Sequence, residues 1–548
     1  MPLLPHNFPM LRQTGNGNHR PSVLLLGAGM SHNVVPMPGA LLADKRADAE
    51  AKLGYTSALP FLPSPPATHL YQWADEMLTQ LIANADPNPK LTLAQSLDIP
   101  SEPRWFGCNS TQRNSPRHRV IARFAREGLW EQIWSLNWDC VQESAFENVG
   151  LKRDGTDAQL QWPTVFRSFT TAAECAQVGE QHSVKLIKPH GCVMALVKAE
   201  EALTKGEIAR SNQLSGRFLI TATELANLTP APGDGTQHFI FATLCEMLCS
   251  RPFIVAGWSA SEPYLLNHIE TRVYPALVDP NRQPPLAADE LSIIDISFND
   301  QGHTRLASFY GKNKNTAHIR VEPANFSIDH LFLWLQALYA VGRLHLCAHE
   351  TDKVTIATVS AEIQQPPDVS RFVIEWVDNF LPVWVRLCWR CGLIMCRDRN
   401  YQPLNIDSIN LESRDEHIPW TMLAIERPEL TAAARFLAAL HRSGDANKWN
   451  FEMFPGGLYR DNQLIIPLPV WENAIPNDLQ GLKALIDAIK QPGAGYIDKI
   501  SIVFLAPDPA ITIQDKSKLE LKELVASNLA MARFARGNII EEIKLEDI

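Results

Sequence analysis

The sequence predicts an α/β protein: a doubly wound, Rossmann-like parallel sheet followed by an α+β C-terminal domain. Three observations carry this. Short apolar runs ending in glycine or a polar residue recur as far as Ile296. Stretches of helical composition separate them, as in successive βα units. At 548 residues the chain exceeds one ordinary hydrophobic core. The expected division is a loose arm over 1–20, a first domain over 21–345 and a second over 350–548.

The first element is Val23-Leu24-Leu25-Leu26-Gly27-Ala28-Gly29-Met30-Ser31, a buried strand entering a turn with little side chain in the way. Such a turn lets backbone N–H groups approach a diphosphate, or simply connects strand to helix. The dehydrogenase fingerprint is incomplete, because His32 stands at the third glycine position. The acids Asp44, Asp48 and Glu50 fall in a helix-like run and not at a strand tip. Hydride transfer is therefore disfavoured. Helices are expected over Leu41–Leu53 and Leu70–Ala85, then a polar, proline-containing stretch to Asn114. Ser115 and Pro116 have the chemistry of a helix start, and Gly128 that of its stop.

Leu129 to Asp139 reads as a strand with Asn137 and Asp139 at its carboxyl end, followed by a helix over Cys140–Asn148. Asn137 is placed either to cap that helix or to face a ligand. Val184 to Gly191 is a strand tipped by His190, and Pro252 to Ser259 one tipped by Gly257-Trp258-Ser259. Leu291–Ile296 places Asp295 where a ribose can be held.

Composition excludes several classes. The N-terminus lacks a secretory pattern, no apolar run is long enough to span a membrane, and the cysteines follow no disulfide framework. A reduced, cytoplasmic setting is expected. The net charge of −10 argues against broad nucleic-acid binding by this chain. Residues 350–548 hold 28 acids against 21 Lys and Arg, so no basic face is expected there.

In order, Gly27-Ala28-Gly29-Met30-Ser31, Ser135-Leu136-Asn137-Trp138-Asp139, Lys188-Pro189-His190-Gly191 and Gly257-Trp258-Ser259 resemble the sirtuin family. More closely they resemble the sirtuin-like domains of bacterial antiviral defence proteins. The resemblance implies that NAD+ is bound as substrate and that its nicotinamide–ribose bond is broken. It implies that Asn137 and His190 are catalytic. Gly27, Ala28, Gly29 and Ser31 would hold the diphosphate, Gly257 and Ser259 its far side, Asp139 the nicotinamide side and Asp295 the adenosine ribose. The carboxylate of Asp295 favours NAD+ over its 2′-phosphorylated form.

The departures bear on the reaction. The nearest counterpart of the family's Gly-x-Pro is Pro36-Met37-Pro38, and Glu262 replaces an aspartate. Between Gly191 and Gly257 only Cys192, Cys245 and Cys249 occur, too few for the two Cys-x-x-Cys hooks of a deacylase zinc ribbon. Cys388-Trp389-Arg390-Cys391 lacks a second pair, so no metal is expected. The reading is an NAD+ hydrolase that depletes NAD+ in antiphage defence. The alternatives are a protein deacylase and a non-catalytic NAD+ or ADP-ribose sensor. Family architecture implies a sensor partner, such as a short Argonaute or an ATPase, or a homo-oligomer. In the second domain, strands are expected over Val354–Val359, Phe372–Val377, Val383–Ile394 and Ile500–Leu505. Helices are expected over Pro428–His441, Leu479–Ile489 and Leu519–Phe534.

Overall fold

The structure is a computed structural model. It describes residues 21–107, 116–149, 151–153, 165–170 and 183–228 continuously, and beyond these mainly separate strands and short helices. The chain divides into two compact units between Ala324 and Asn325, earlier than the boundary at residue 345 expected from composition. The arm over 1–20 lies outside the described residues.

The first unit contains strands β1 (Ser22–Leu26), β2 (Trp130–Ser135), β3 (Lys152–Arg153), β4 (Val165–Phe169), β5 (Ser183–Ile187), β6 (Phe253–Ala256), β7 (Ser292–Ile296) and β8 (Ala317–Val321). All pair in parallel, in the order β3-β4-β5-β2-β1-β6-β7-β8. The five strands legible in the sequence are its centre, and the shorter or more polar β3, β4 and β8 extend its edges. Strand β1 lies between β2 and β6, with Leu24 opposite Ile133 on one side and Ile254 on the other. Val23, Leu24 and Leu25 are wholly buried, which is why the strand is apolar at every position and does not alternate.

The helices are α1 (Pro38–Leu53), α2 (Ala67–Ala83), α3 (Pro89–Ser96), α4 (Pro116–Arg126), α5 (Val141–Asn148), α6 (Val193–Thr204), α7 (Ile208–Ser215), α8 (Ala222–Asn227) and α9 (Pro263–His268). Asp44, Asp48 and Glu50 sit on α1, so none reaches a strand tip. Helix α2 buries Leu70, Trp73, Ala74, Met77 and Leu81, one stripe at helical spacing. Within the polar, proline-containing stretch expected to run to Asn114, the structure forms helix α3. The Asn88 side chain accepts from the Leu91 N–H and Pro89 occupies the first turn, a start signal overlooked beside the neighbouring prolines. The buried faces of α1, α2, α3 and α6 form one core with Trp105, Trp138 and Phe218.

The second unit holds β9 (Leu458–Arg460), β10 (Gln463–Pro469), β11 (Lys499–Ala506), β12 (Met531–Arg536) and β13 (Ile539–Glu542). They form a sheet in the order β13-β12-β11-β10-β9, parallel at its centre with antiparallel edge strands. Ile500–Leu505 is a strand as expected. The helix expected over Leu519–Phe534 cannot run to its end, because Met531–Arg536 pairs with β11. The sequence Met-Ala-Arg-Phe-Ala-Arg lacks the alternation of a half-buried strand, so its pairing was not legible. The remaining elements expected between 350 and 457 lie outside the described residues, as does Leu479–Ile489. Among the described residues no helix is long and apolar enough to cross a membrane.

Candidate active site

At the carboxyl ends of β1, β2 and β5 the chain leaves a half-open cleft of about 470 Å³, its open mouth included. This is the edge at which parallel α/β sheets bind ligands. Its lining comes from four stretches: Ala28 and Ser31 after β1, Val35–Pro38 at the start of α1, Leu136–Asp139 after β2, and His190 after β5. Tyr71 and Trp105 complete it. Trp138 packs against Tyr71 edge-on at 6.1 Å and against Phe218 at 5.1 Å, forming an aromatic wall.

The turn after β1 is held by its own backbone. The Gly27 N–H donates to Ala256 O, the Gly29 N–H to Gly257 O and the Met30 N–H to Gly27 O. A Cβ on Gly27 would stand 2.4 Å from the Trp258 Cα, so glycine is required here by the close approach of β6. Arg117 of α4 then clamps the following loop, donating to the carbonyls of Met30 (2.7 Å) and His32 (2.6 Å). The glycines expected to face a diphosphate thus join two strand ends.

Ser31 and Asp139 act on Asn137. The Asn137 Nδ2 donates to Ser31 Oγ at 3.0 Å, and Ser31 in turn hydrogen-bonds the Asp139 carboxylate. Asp139 also accepts from the Val141 N–H at 3.0 Å and so caps α5. Of the two roles open to Asn137 in the sequence, the helix cap falls instead to Asp139. Burial pushes the Asp139 carboxyl up, against the opposing pull of Lys188 and Ser31.

His190 Nδ1 lies 2.9 Å from the Leu136 carbonyl, which can only accept, so Nδ1 carries the hydrogen and Nε2 the lone pair. Burial lowers its pKa to about 4, so the ring is neutral at neutral pH. Gly191 follows at φ +80°, where a Cβ would meet the Arg217 carbonyl at 1.9 Å. Glycine there lets the histidine turn dock on the 217–218 backbone, which the Leu219 N–H to His190 O bond secures.

Beneath these residues lies a charged hub that sequence reasoning missed. Lys188 and Glu143, 1% and 0% exposed, pair at 2.9 Å. Lys188 also donates to the Asp139 carbonyl and to Cys192 Sγ at 3.5 Å. Burial alone would lower the lysine's pKa, but Cys192, Glu143, Cys140 and Asp139 outweigh it and hold the ammonium charged. The available signal was a lysine directly after the apolar run of β5. Cys140, Glu143 and Cys192 lie close enough together to hold a metal ion, and the Lys188 ammonium already supplies a cation to two of them, Glu143 at 2.9 Å and Cys192 at 3.5 Å.

Three polar atoms of cleft residues are buried without a hydrogen-bond partner: Asn137 Oδ1, Trp105 Nε1 and Trp138 Nε1. The structure therefore brings Ala28, Ser31, Asn137, Asp139 and His190 together, and leaves an acceptor and two donors unspent. Gly27, Gly29 and Gly257 stand behind the cleft as the β1–β6 junction. Asp295 is in β7, beyond β6 from β1. Ser259 and Glu262 lie outside the described residues. No protein-family model and no curated protein sequence matches the chain.

Proposed function

We propose that the chain is an NAD+ hydrolase, releasing nicotinamide and leaving ADP-ribose. The observation that carries this reading is the pair at the cleft floor. Asn137 is fixed through its amide nitrogen with its carbonyl oxygen unpartnered, and His190 is held as a neutral imidazole through Nδ1. Buried polar groups without partners are costly, so a cleft that retains them is suited to a ligand that satisfies them. Asn137 Oδ1 accepts from a hydroxyl of the nicotinamide ribose or from the attacking water. His190 Nε2 takes the proton of that water as its oxygen bonds to the ribose carbon. The bond to nicotinamide breaks with its electron pair leaving on the base, and the proton passes from His190 to solvent. A buried, weakly basic imidazole suits this step, because water becomes acidic as it adds to a centre of positive character. Ser31 and Asp139 are positioning residues here, a change from the diphosphate and nicotinamide contacts that the resemblance implied. We further propose that this activity serves NAD+ depletion in antiphage defence, released by a partner or by self-assembly.

Nicotinamide release by the full chain, alone and with neighbouring-gene products, tests the reading. Asn137→Ala and His190→Ala are each expected to lower turnover by about 10²-fold or more while thermal unfolding stays near that of the parent. Near-parental turnover by either variant overturns the assignment. Release of acyl groups from acyl-lysine peptides would favour the deacylase instead, and ADP-ribose binding without turnover the sensor.

A further inference from the structure

The hub contains two sulfurs that the proposed reaction does not use. Cys140 Sγ and Cys192 Sγ are 3.2 Å apart, both side chains are buried, and neither is in a disulfide. Each closes a loop of the cleft: Cys140 follows Asp139, and Cys192 lies two residues after His190. Each is also the residue preceding a helix, α5 for Cys140 and α6 for Cys192, where backbone N–H groups favour negative charge. We propose that Cys140 and Cys192 are a redox-modifiable thiol pair that a two-electron oxidant joins in a disulfide beneath the cleft.

The surroundings prepare the pair for this chemistry. The contact with Cys140 and the charge of Lys188 lower the Cys192 pKa, against burial and the Glu143 carboxylate that its Sγ meets at 3.7 Å. The same contact, together with burial, raises Cys140. One sulfur is thus poised as nucleophile and the other as resolving thiol. With a peroxide, the Cys192 thiolate attacks one oxygen, the O–O bond breaks, and hydroxide leaves to take a proton from solvent. Cys192 is then a sulfenic acid. Cys140 sulfur attacks the Cys192 sulfur, the S–O bond breaks, and the departing hydroxide takes the Cys140 proton as water. Two electrons pass from the two sulfurs to the peroxide.

A disulfide of about 2.05 Å brings the sulfurs roughly 1.1 Å closer than they stand. Asn137 and His190 stand three and two residues from these sulfurs, and any part of that movement passed to their loops lowers the rate, by on the order of 10²-fold for a displacement of about 1 Å.

The test uses the reduced full chain, treated natively with hydrogen peroxide or with oxidised glutathione, alkylated, digested and mapped by mass spectrometry. The expected product is one cross-linked peptide pair carrying Cys140 and Cys192, lighter by two hydrogens and resolved by dithiothreitol. The proposal is overturned if both cysteines remain open to alkylation after denaturation when other cysteines have been oxidised. Cross-links to other cysteines only, or over-oxidation of Cys192 without a cross-link, overturn it equally. The effect on turnover rests on the NAD+ hydrolase reading. There the oxidised chain should be slower by about tenfold to a hundredfold. Reductant should restore it, and Cys140→Ser should abolish the response. A cross-linked chain of unchanged turnover removes the control role. A chain that cleaves no NAD+ even when reduced fails the hydrolase reading, and the peptide map still decides the cross-link.

Discussion

The tip of β1 and the tips of β2 and β5 look alike in sequence, each a strand that ends in small or polar residues, yet they are built in opposite ways. After β1 the amides of Gly27, Gly29 and Met30 are all spent within the protein, and the turn is a joint between strands. After β2 the backbone is held by Lys188, which reaches across from the end of β5 to the Asp139 carbonyl, while Asn137 Oδ1 and the Trp138 indole nitrogen stay unpartnered, as does that of Trp105 elsewhere in the cleft lining. A glycine-rich turn is thus evidence of close packing before it is evidence of a phosphate. The side chains that a fold holds firmly and leaves unsatisfied are the stronger pointer to chemistry.

The largest test of this contrast after the loss of Asn137 or His190 falls on the hub. Lys188→Met leaves Glu143 buried without its counter-charge, and about 3–5 kcal/mol of stability should be lost. Lys188→Met combined with Glu143→Leu should recover most of it in denaturant titrations. Failure of the double variant to recover would show that Lys188 acts through the Asp139 carbonyl and not through the ion pair.

The joint gives the next effect. Gly27→Ala should cost about 1–3 kcal/mol, because its Cβ meets backbone atoms of Gly257 and Trp258 that no rotamer change can move. Were the turn a ligand cradle alone, the variant would unfold like the parent and lose only affinity.

A smaller effect comes from acid. His190 has a pKa of about 4 and His118 about 3 in the folded chain, both lowered by burial, against about 6.5 when unfolded. Between these values the unfolded chain binds protons that the folded chain does not. Each histidine's contribution is therefore present above pH 6.5 and lost as pH falls toward 4, at about 1.4 kcal/mol per pH unit. Replacing His190 by Gln should flatten the curve of stability against pH over this window, and an unchanged slope would count against a buried neutral ring.

The smallest and most specific effect is one of opposite signs. Trp105→Phe and Trp138→Phe keep an aromatic ring and remove an unpartnered donor, so stability should hold or rise by up to about 1 kcal/mol. ADP-ribose affinity, read by calorimetry, should fall by roughly fivefold to tenfold for the indole that meets the ligand. Parallel loss of both quantities in both variants would make the indoles packing residues only.

The central strands, the Gly-Ala-Gly turn and the start of α4 at Pro116 were legible because they depend on local properties: continuous burial, permissive backbone and helix-starting chemistry. The edge strands were not, since Lys152–Arg153 is too short and Val165–Phe169 too mixed to carry a period. For Met531–Arg536, pairing with β11 prevailed over a pattern that also suits a helix. Within the candidate site, the residues at strand tips could be read directly from the chain, Asn137, Asp139 and His190 among them. The partner that each one meets there depends on how the strands assemble. Strand order places β5 beside β2, so that His190 reaches the Leu136 carbonyl, Lys188 meets Glu143 and Cys192 meets Cys140. Those partners are some fifty residues apart along the chain. Helical and strand periods report neighbours only a few residues away. Long-range partners are chosen by which strands pair and how much charge and apolar surface the fold must bury between them.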